Sequence, residues 1–202
     1  MNRICQGLLN VLCSACICCA ILGCKDGDIS ISDGEQNTSE LNAKLENIDV
    51  AGYKGLEDVI SNNVHIQSDS KPIMLIFGVN NCKYCEILKQ DMRENKKLHD
   101  FIKDNFATYY INTSYSKTHE IAYMQKSLQT DDLARYYGVV KTPLIVWLES
   151  DGTKIMQLDG YNGNYFSAML LFVKNKGYGN EKNSEKRTAM FIEQYTQSKL
   201  NF

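Results

Sequence analysis

Two cysteines separated by two residues carry the clearest chemistry in this sequence: Cys82-Lys83-Tyr84-Cys85. They follow a short apolar run, residues 73–79, and begin a segment with helical periodicity. Within one helical turn the two sulfurs are close enough to bridge. The free N–H groups and dipole of a helix start stabilise a thiolate, and Lys83 adds a positive charge nearby. Cys82 is therefore the expected nucleophile on a disulfide, and Cys85 is the thiol that resolves the mixed disulfide.

A Cys-x-x-Cys pair can also bind a metal or form an inert structural bridge. Zinc needs about four ligands, and the other six cysteines all lie in the first 24 residues. His65, His99 and His119 are scattered, so we expect each to be an ordinary surface or boundary residue. A bridge that closes so small a loop constrains the unfolded chain little. The pattern favours a redox role, with no metal and no cofactor besides the cysteine pair.

The first 24 residues have the features of an export signal. Residues 1–3 carry a positive charge, and residues 4–23 are uncharged and almost wholly apolar or small. The segment ends with the residues Ile21-Leu22-Gly23-Cys24. This ending resembles the lipobox of bacterial lipoproteins, so we expect cleavage before Cys24 and acylation of Cys24. An uncleaved signal anchor is the alternative, because the run approaches the roughly 20 residues that span a bilayer. Either reading puts the rest of the chain on the periplasmic side, where disulfides persist.

Composition indicates one globular domain with additional sequence. The chain has 202 residues, of which 44% are hydrophobic and 23% charged, as in ordinary soluble proteins. The net charge is −2 and no basic run stands out, so we do not expect a nucleic-acid partner. We predict a signal peptide at 1–23, a lipidated flexible tether at 24–53, a globular domain at 54–176 and a partly helical C-terminal extension at 177–202.

Periodicity in the globular region predicts the element order β-α-β-α-β-β-α. The predicted elements are a lead-in helix at 55–62, a strand at 73–79, a helix at 82–92 that breaks near Asn95 and continues at 98–106, a strand at 107–112, a helix at 131–137 capped by Thr130, strands at 144–149 and 153–158, and helices at 165–174 and 185–199, the last one exposed. A right-handed crossover makes a parallel pair, and the closing hairpin adds antiparallel strands. This order gives an α/β fold with a central mixed four-stranded sheet and helices on both faces.

Two finer expectations concern the cysteine helix and the longest connection. Cys85, Leu88 and Met92 share one helical stripe, whereas Lys83, Glu86, Lys89 and Gln90 are expected to lie off that buried stripe. Residues 113–129 are interpreted as a polar connection that is helical in part from Glu120.

Residues 73–89, residues 138–143 and the hairpin after them resemble the thioredoxin superfamily, in particular bacterial periplasmic and lipoprotein thioredoxins. Gly160-Tyr161, followed by Phe166 and Leu170, is similar to the ending of the lipoprotein members. The resemblance covers roughly residues 54–176 and supports the α/β fold.

The resemblance also implies roles for residues around the cysteine pair. Thr142-Pro143 falls where the family has a cis-proline packed opposite the Cys-x-x-Cys turn. Thr142 and Pro143, together with Lys83 and Tyr84, are thereby implied to bind substrate.

The chain departs from thioredoxin itself at several positions. Asn81 stands where thioredoxin has a Trp before its first cysteine, and Ile76 stands where the family has a buried acid that moves a proton for the second cysteine. Glu86 is expected on the outer face and is not assigned that role. The sequence before the domain is too short and polar for the dimerisation domain of the V-shaped isomerases, so we expect a monomer.

The resemblance therefore implies a periplasmic, membrane-anchored thiol–disulfide oxidoreductase. It would act on protein thiols and disulfides as a reductase or exchange protein, kept reduced by a membrane electron donor. Two alternatives remain open: a dithiol oxidase, and a non-catalytic surface lipoprotein that uses a thioredoxin-like domain to bind a partner.

Overall fold

The computed structural model describes Lys44, residues 50–68 and residues 70–202. The predicted signal peptide at 1–23, the lipidation site Cys24 and most of the predicted tether lie outside these described residues. Within the described part of the chain, no helix is long and apolar enough to cross a membrane.

The described part of the chain contains eight strands and, after residue 80, five α-helices. The strands are β1 (Ile60–Ser61), β2 (His65–Ile66), β3 (Ile73–Gly78), β4 (Ala107–Asn112), β5 (Thr118–Ile121), β6 (Lys126–Gln129), β7 (Leu144–Leu148) and β8 (Lys154–Asp159). The α-helices after residue 80 are α1 (Lys83–Glu94), α2 (Lys96–Asn105), α3 (Thr130–Tyr137), α4 (Gly163–Lys174) and α5 (Ser184–Thr196).

The central sheet has the strand order β1-β4-β3-β7-β8. β1 and β3 both run parallel to β4, whereas β7 is antiparallel to β3 and β8 is antiparallel to β7. Its middle strand β3 is buried along its whole length, as its uniformly apolar sequence predicts. The predicted α/β fold with a mixed sheet is confirmed, but the described sheet has five strands rather than four because β1 joins its edge.

Side chains of β3 alternate between two hydrophobic clusters, one on each face of the sheet. Met74 and Ile76 pack in the cluster that α1, α2, α4 and α5 cover. Leu75 and Phe77 pack in the second cluster, with Leu133 from α3. Helices therefore lie on both faces of the sheet, and their packing fixes the position of α1 against β3.

The break between α1 and α2 lies at Asn95, as predicted. Asn95 ends α1 and also caps α2, because its side-chain oxygen accepts a hydrogen bond from Leu98 N at 3.1 Å. The predicted hairpin 144–158 and the apolar helix before Lys174 are also confirmed.

The predicted lead-in helix at 55–62 is wrong. Gly55 has a φ of 82°, which helices do not contain, and only one turn follows, closed by Ile60 N donating to Leu56 O at 2.8 Å. Ile60 then enters the sheet at β1, opposite Thr108 of β4. Burial of Leu56, Val59 and Ile60 against the core decides this local structure, and the weak helical spacing does not.

The connection at 113–129 is also different from the prediction. It forms β5, a short 3-10 turn at Ala122–Met124 and β6, which together with β2 make a second sheet of order β2-β5-β6. The 3-10 turn between β5 and β6 is joined to α3 by a hydrogen bond of 2.7 Å between the Tyr123 and Tyr137 hydroxyls. Burial raises the pKa of Tyr123 to about 12, so this contact stays neutral at physiological pH.

Two expectations about helix ends and exposure need correction. Thr130 does not cap α3: it is the first residue of that helix, and its hydroxyl accepts from Lys117 N at 3.1 Å. The predicted C-terminal helix exists as α5, but it is not simply exposed. Arg187 and Phe191 on α5 are buried, and the Arg187 guanidinium stacks 4.5 Å from the Tyr178 ring centre.

Candidate active site

The two cysteines lie at the junction between β3 and the start of α1. β3 ends at Gly78, and four residues later Cys82 occupies the N-cap of α1. The Cys82 sulfur accepts a hydrogen bond from Cys85 N at 3.2 Å. Cys82 therefore lies at the positive end of the helix dipole, where a thiolate is stabilised.

Cys82 and Cys85 form a disulfide, with their Cα atoms 5.2 Å apart. The two partners differ in accessibility: Cys85 is fully buried at 0%, whereas Cys82 retains 9% of its surface. An incoming sulfur can reach this bond only from the Cys82 side. The first cysteine of this disulfide is therefore the more accessible one, and the second is protected from solvent.

Thr142 and Pro143 lie beside the accessible sulfur. The Thr142–Pro143 peptide bond is cis, as the resemblance implied. The Thr142 hydroxyl donates to Cys82 Sγ at 3.4 Å. Sheet pairing brings these distant residues together, since Leu144 directly after Pro143 lies opposite Phe77 of β3.

The predicted substrate-contacting residues Lys83 and Tyr84 occupy the first turn of α1, and both are exposed. Tyr84 has 55% of its surface accessible. Two exposed aliphatic side chains lie on the segments that carry the site residues: Val79 three residues before Cys82, and Val140 two residues before Thr142, the latter 89% exposed. With Tyr84 they offer apolar contact surface on the two segments that meet at the reactive sulfur.

The segment that enters the cysteine turn is fixed by a polar network that sequence reasoning missed. Asn80 donates from Nδ2 to the Tyr115 hydroxyl at 2.6 Å and accepts from Asn112 Nδ2 at 2.9 Å. The backbone N–H of Asn80 also donates to the Ser114 hydroxyl at 2.9 Å. Asn81 adopts a left-handed conformation with a φ of 59°, which Asn tolerates better than most residues. The adjacent residues Asn80 and Asn81 were the available sequence signal for this turn, because Asn favours turns and tolerates the left-handed conformation.

Lys89 is buried on α1, so its predicted place off the buried stripe is wrong. Its side chain is only 5% exposed, and its ammonium donates to Gly52 O at 2.6 Å. The same ammonium lies 2.6 Å from a Glu86 carboxylate oxygen and 5.2 Å from the Tyr110 ring centre. A backbone carbonyl, a carboxylate and an aromatic face together replace the water that a buried cation loses. Glu86 itself is exposed, as predicted.

Ile76 of β3 is buried, at the position where the resemblance implied a buried acid that moves a proton for the second cysteine.

The three histidines have three different environments. His65 is exposed and lies 2.7 Å from Glu120, whereas His99 is partly buried and contacts Asp58 at 3.1 Å. His119 is fully buried, which corrects the expectation of a surface or boundary residue, because Asn63 O and the Thr130 hydroxyl bind its two ring nitrogens. No group of three or more His, Cys, Asp or Glu side chains in the described residues could hold a metal ion.

Comparison with known proteins identifies the family. The model of the thioredoxin-like domain family matches residues 62–174. A thioredoxin-fold protein from Helicobacter pylori is 36% identical, with a TM-score of 0.65, over 73% of this chain and 99% of that one. No curated protein matches the chain.

Two other solved thioredoxins show a weaker likeness to this chain. A thioredoxin from Thermus thermophilus is 18% identical, with a TM-score of 0.42, and the match covers 56% of this chain and 85% of that one. Thioredoxin f from spinach chloroplast is 13% identical, with a TM-score of 0.36, over 55% of this chain and 96% of that one.

The chain belongs to the thioredoxin-like family. Its Cys-x-x-Cys disulfide at the start of a helix, held in this fold, makes it a thiol–disulfide oxidoreductase.

Proposed function

We propose that this protein reduces or exchanges disulfides in other proteins from the periplasmic side of a membrane, through a dithiol–disulfide cycle of Cys82 and Cys85. One observation carries the proposal: a disulfide whose more accessible partner caps a helix and accepts a hydrogen bond from Thr142, while the other partner is fully buried. This asymmetry is what a cycle with one attacking and one resolving thiol requires.

In the reducing direction the Cys82 thiolate attacks one sulfur of a substrate disulfide. The substrate S–S bond breaks, Cys82 forms the mixed disulfide, and the first substrate thiolate leaves. The Cys85 thiolate then attacks the Cys82 sulfur, forming the Cys82–Cys85 bond and releasing the second substrate thiolate. The substrate gains two electrons, and the two protons given up by the cysteines balance the two thiols released. A donor of two electrons and two protons must then regenerate the dithiol, and we propose that this donor is a membrane protein.

The Thr142 hydroxyl supports the proposed first step. A donor at 3.4 Å stabilises negative charge on Cys82 Sγ, both before attack and when Cys82 is the leaving group. The exposed side chains of Tyr84 and Val140 support a polypeptide substrate, because apolar surface on the segments that carry Cys82 and Thr142 favours a chain with apolar residues around its cysteine.

The proposed location rests on the sequence before the described domain. An uncharged apolar segment that ends in a lipobox-like Cys24 favours export and lipid attachment. A monomeric enzyme with no cofactor beyond its own disulfide completes the proposal. Metabolic labelling with a radioactive fatty acid tests the anchor: wild-type protein should be labelled and the Cys24→Ser variant should not, whereas equal labelling would contradict the lipid site.

Turnover tests the activity. Insulin reduction by dithiothreitol should accelerate with wild-type protein, and both Cys82→Ser and Cys85→Ser should lose nearly all of the acceleration. Ser68→Ala is the control and should keep full activity, because the Ser68 hydroxyl contacts Lys71 O and neither cysteine. Equal, uncatalysed rates with the wild type and the cysteine variants would leave the domain as a binder and contradict the proposal.

A further inference from the structure

Lys89 is a buried charge that the reaction cycle described above does not use. It lies four residues after Cys85 on α1, and residues at this spacing share a helix face, with Cβ atoms roughly 5–6 Å apart. Both side chains are buried, Cys85 at 0% and Lys89 at 4% exposure. Burial of a lysine is costly, so a buried cation beside a redox thiol calls for a reason.

The contacts of Lys89 place its ammonium toward the cysteine end of the helix. Helical side chains lean toward the N-terminus, and here the ammonium reaches back to Glu86, the residue directly after Cys85, at 2.6 Å. It also lies above the Tyr110 ring. That ring points toward the end of β3, since a Cβ built on Gly78 would meet the Tyr110 hydroxyl at 2.0 Å. The Lys89 ammonium therefore lies between α1 and the end of β3, on the helix face that Lys89 shares with Cys85.

We propose that Lys89 is a positioning residue for Cys85: its buried ammonium favours the Cys85 thiolate and thereby speeds resolution of the mixed disulfide. The inference rests on the proposed Cys82–Cys85 cycle. A positive charge nearby favours the ionised form of a thiol, and burial weakens the screening of that interaction by water. Lys89 thus offsets the desolvation that otherwise disfavours ionisation of a fully buried thiol.

Other ionisable groups around α1 do not replace Lys89. On α1 itself, Lys83 is exposed, and Glu86 is 62% exposed, so water screens both charges. The neighbouring segments contribute Tyr110 on β4 and Tyr53, whose ring centre lies 6.4 Å from that of Tyr110. They also contribute His99 of α2, which contacts Met92 O, and Tyr161, which donates to Asp91 of α1. His99, the one group among these neighbours that can become cationic, contacts the helix seven residues beyond Cys85. Lys89 is the buried cation nearest to Cys85 along the helix.

A two-phase reaction with the aromatic disulfide DTNB separates the two thiols. The reduced protein first attacks DTNB through Cys82, which forms a mixed disulfide and releases one coloured aromatic thiolate. Cys85 then attacks the Cys82 sulfur, closes the Cys82–Cys85 bond and releases the second aromatic thiolate. Stopped-flow measurements over roughly pH 5 to 10, at enough DTNB to make the first phase faster, give a separate pH profile for each thiol.

The pH at which the second-phase rate reaches half its maximum is the midpoint of that phase. In Lys89→Met we expect this midpoint to rise by about one pH unit. Below that midpoint the second phase should slow about threefold rather than tenfold, because a thiolate of higher pKa is also a better nucleophile. Lys89→Arg keeps the charge and should restore the wild-type midpoint. The first phase should stay unchanged in both variants, since the helix start and the Thr142 hydroxyl determine the reactivity of the Cys82 thiolate.

Arg93→Met is the matched control, because Arg93 lies one turn further along α1 and donates to Lys54 O at 3.3 Å. Both cations thus contact the segment before β1, but only Lys89 lies within one helical turn of Cys85. Equal effects of Lys89→Met and Arg93→Met, or no shift with Lys89→Met, would overturn the inference.

If Lys89→Met does not fold, Glu86→Gln answers the same question at an exposed position. Removal of the anion that partly neutralises Lys89 should lower the second-phase midpoint, and an unchanged midpoint would overturn the inference. Failure of the underlying cycle looks different: wild-type protein would then release one aromatic thiolate and never the second.

Discussion

Thr142 and Cys82 lie 60 residues apart in the chain, yet the Thr142 hydroxyl donates to the Cys82 sulfur at 3.4 Å. The contact exists because β7, which begins directly after Pro143, pairs antiparallel with β3, whose end leads into the cysteine turn. The central sheet therefore determines the environment of the reactive sulfur.

This contact predicts the behaviour of Thr142→Val. Loss of a hydrogen bond to the thiolate should raise the pKa of Cys82 by roughly half a unit to one unit. Alkylation of Cys82 by iodoacetamide, followed against pH, measures the change, and Thr142→Ser should behave like the wild type. A Thr142→Val profile that overlays the wild-type profile would show that the hydroxyl does not act on the sulfur.

The unequal exposure of the two cysteines predicts their order of reaction. In the reduced protein, iodoacetamide at mildly acidic pH should modify Cys82 first, because Cys85 is buried and lacks the helix-cap position. Mass spectrometry of the digested protein identifies the modified thiol. Cys85→Ala should accumulate mixed disulfides on Cys82, and Cys82→Ala should accumulate none. Faster modification of Cys85 would reverse the assigned roles.

The close approach of Tyr110 to Gly78 predicts that a larger side chain at the end of β3 destabilises the protein. A Cβ at this position would meet the Tyr110 hydroxyl at 2.0 Å and its ring at 2.5 Å, and both groups are buried. Gly78→Ala should therefore lower the free energy of unfolding by about 1–3 kcal/mol, as overpacked core substitutions do. Gly52→Ala is the control, since no atom lies within 4 Å of its added Cβ. Urea unfolding measures both, and equal stabilities would show that Tyr110 moves away without cost.

The contacts of Asp58 with Lys103 and His99 predict a pH-dependent contribution to the free energy of unfolding. Hydrogen bonds from Lys103 and His99 lower the pKa of Asp58 from 3.8 to about 2. A lowered pKa stabilises the folded protein above the unfolded value of 3.8, and this stabilisation is lost as the pH falls toward 2. Because Asp58 is half exposed, we expect Asp58→Asn to cost less than about 1 kcal/mol at neutral pH.

The measurement is the difference in unfolding free energy between the wild type and Asp58→Asn at neutral and at acidic pH. This difference should shrink toward zero near pH 2. Asp104→Asn, an exposed carboxylate next to Lys103 in sequence, is the control and should show little difference at either pH. A difference that grows on acidification would contradict the assigned pairing.

Local pattern was sufficient for the elements that build the cysteine turn. A uniformly apolar β3, the stripe of Leu88 and Met92 on α1, and the turn between β7 and β8 each have a signal within a few residues. The position of Thr142 beside Cys82 came from family resemblance, because no local pattern encodes a contact across 60 residues.

Features that depend on tertiary partners were not predictable in this way. Burial of Lys89 depends on Gly52 O, 37 residues earlier, and burial of His119 depends on Asn63 O, 56 residues earlier. β1 and β2 have two residues each, too few for any period to appear. In each case long-range hydrogen bonds and burial override the preference of the local sequence.

The reduction potential of the Cys82–Cys85 pair tests the central claim most directly. Equilibration of the protein with mixtures of reduced and oxidised glutathione, followed by acid quench and thiol counting, gives this potential. The proposed reductase predicts a single two-electron transition below roughly −200 mV, toward the thioredoxin end of a range of about −270 to −120 mV. A potential near the oxidising end of that range, or a pair that does not exchange with glutathione, would contradict it.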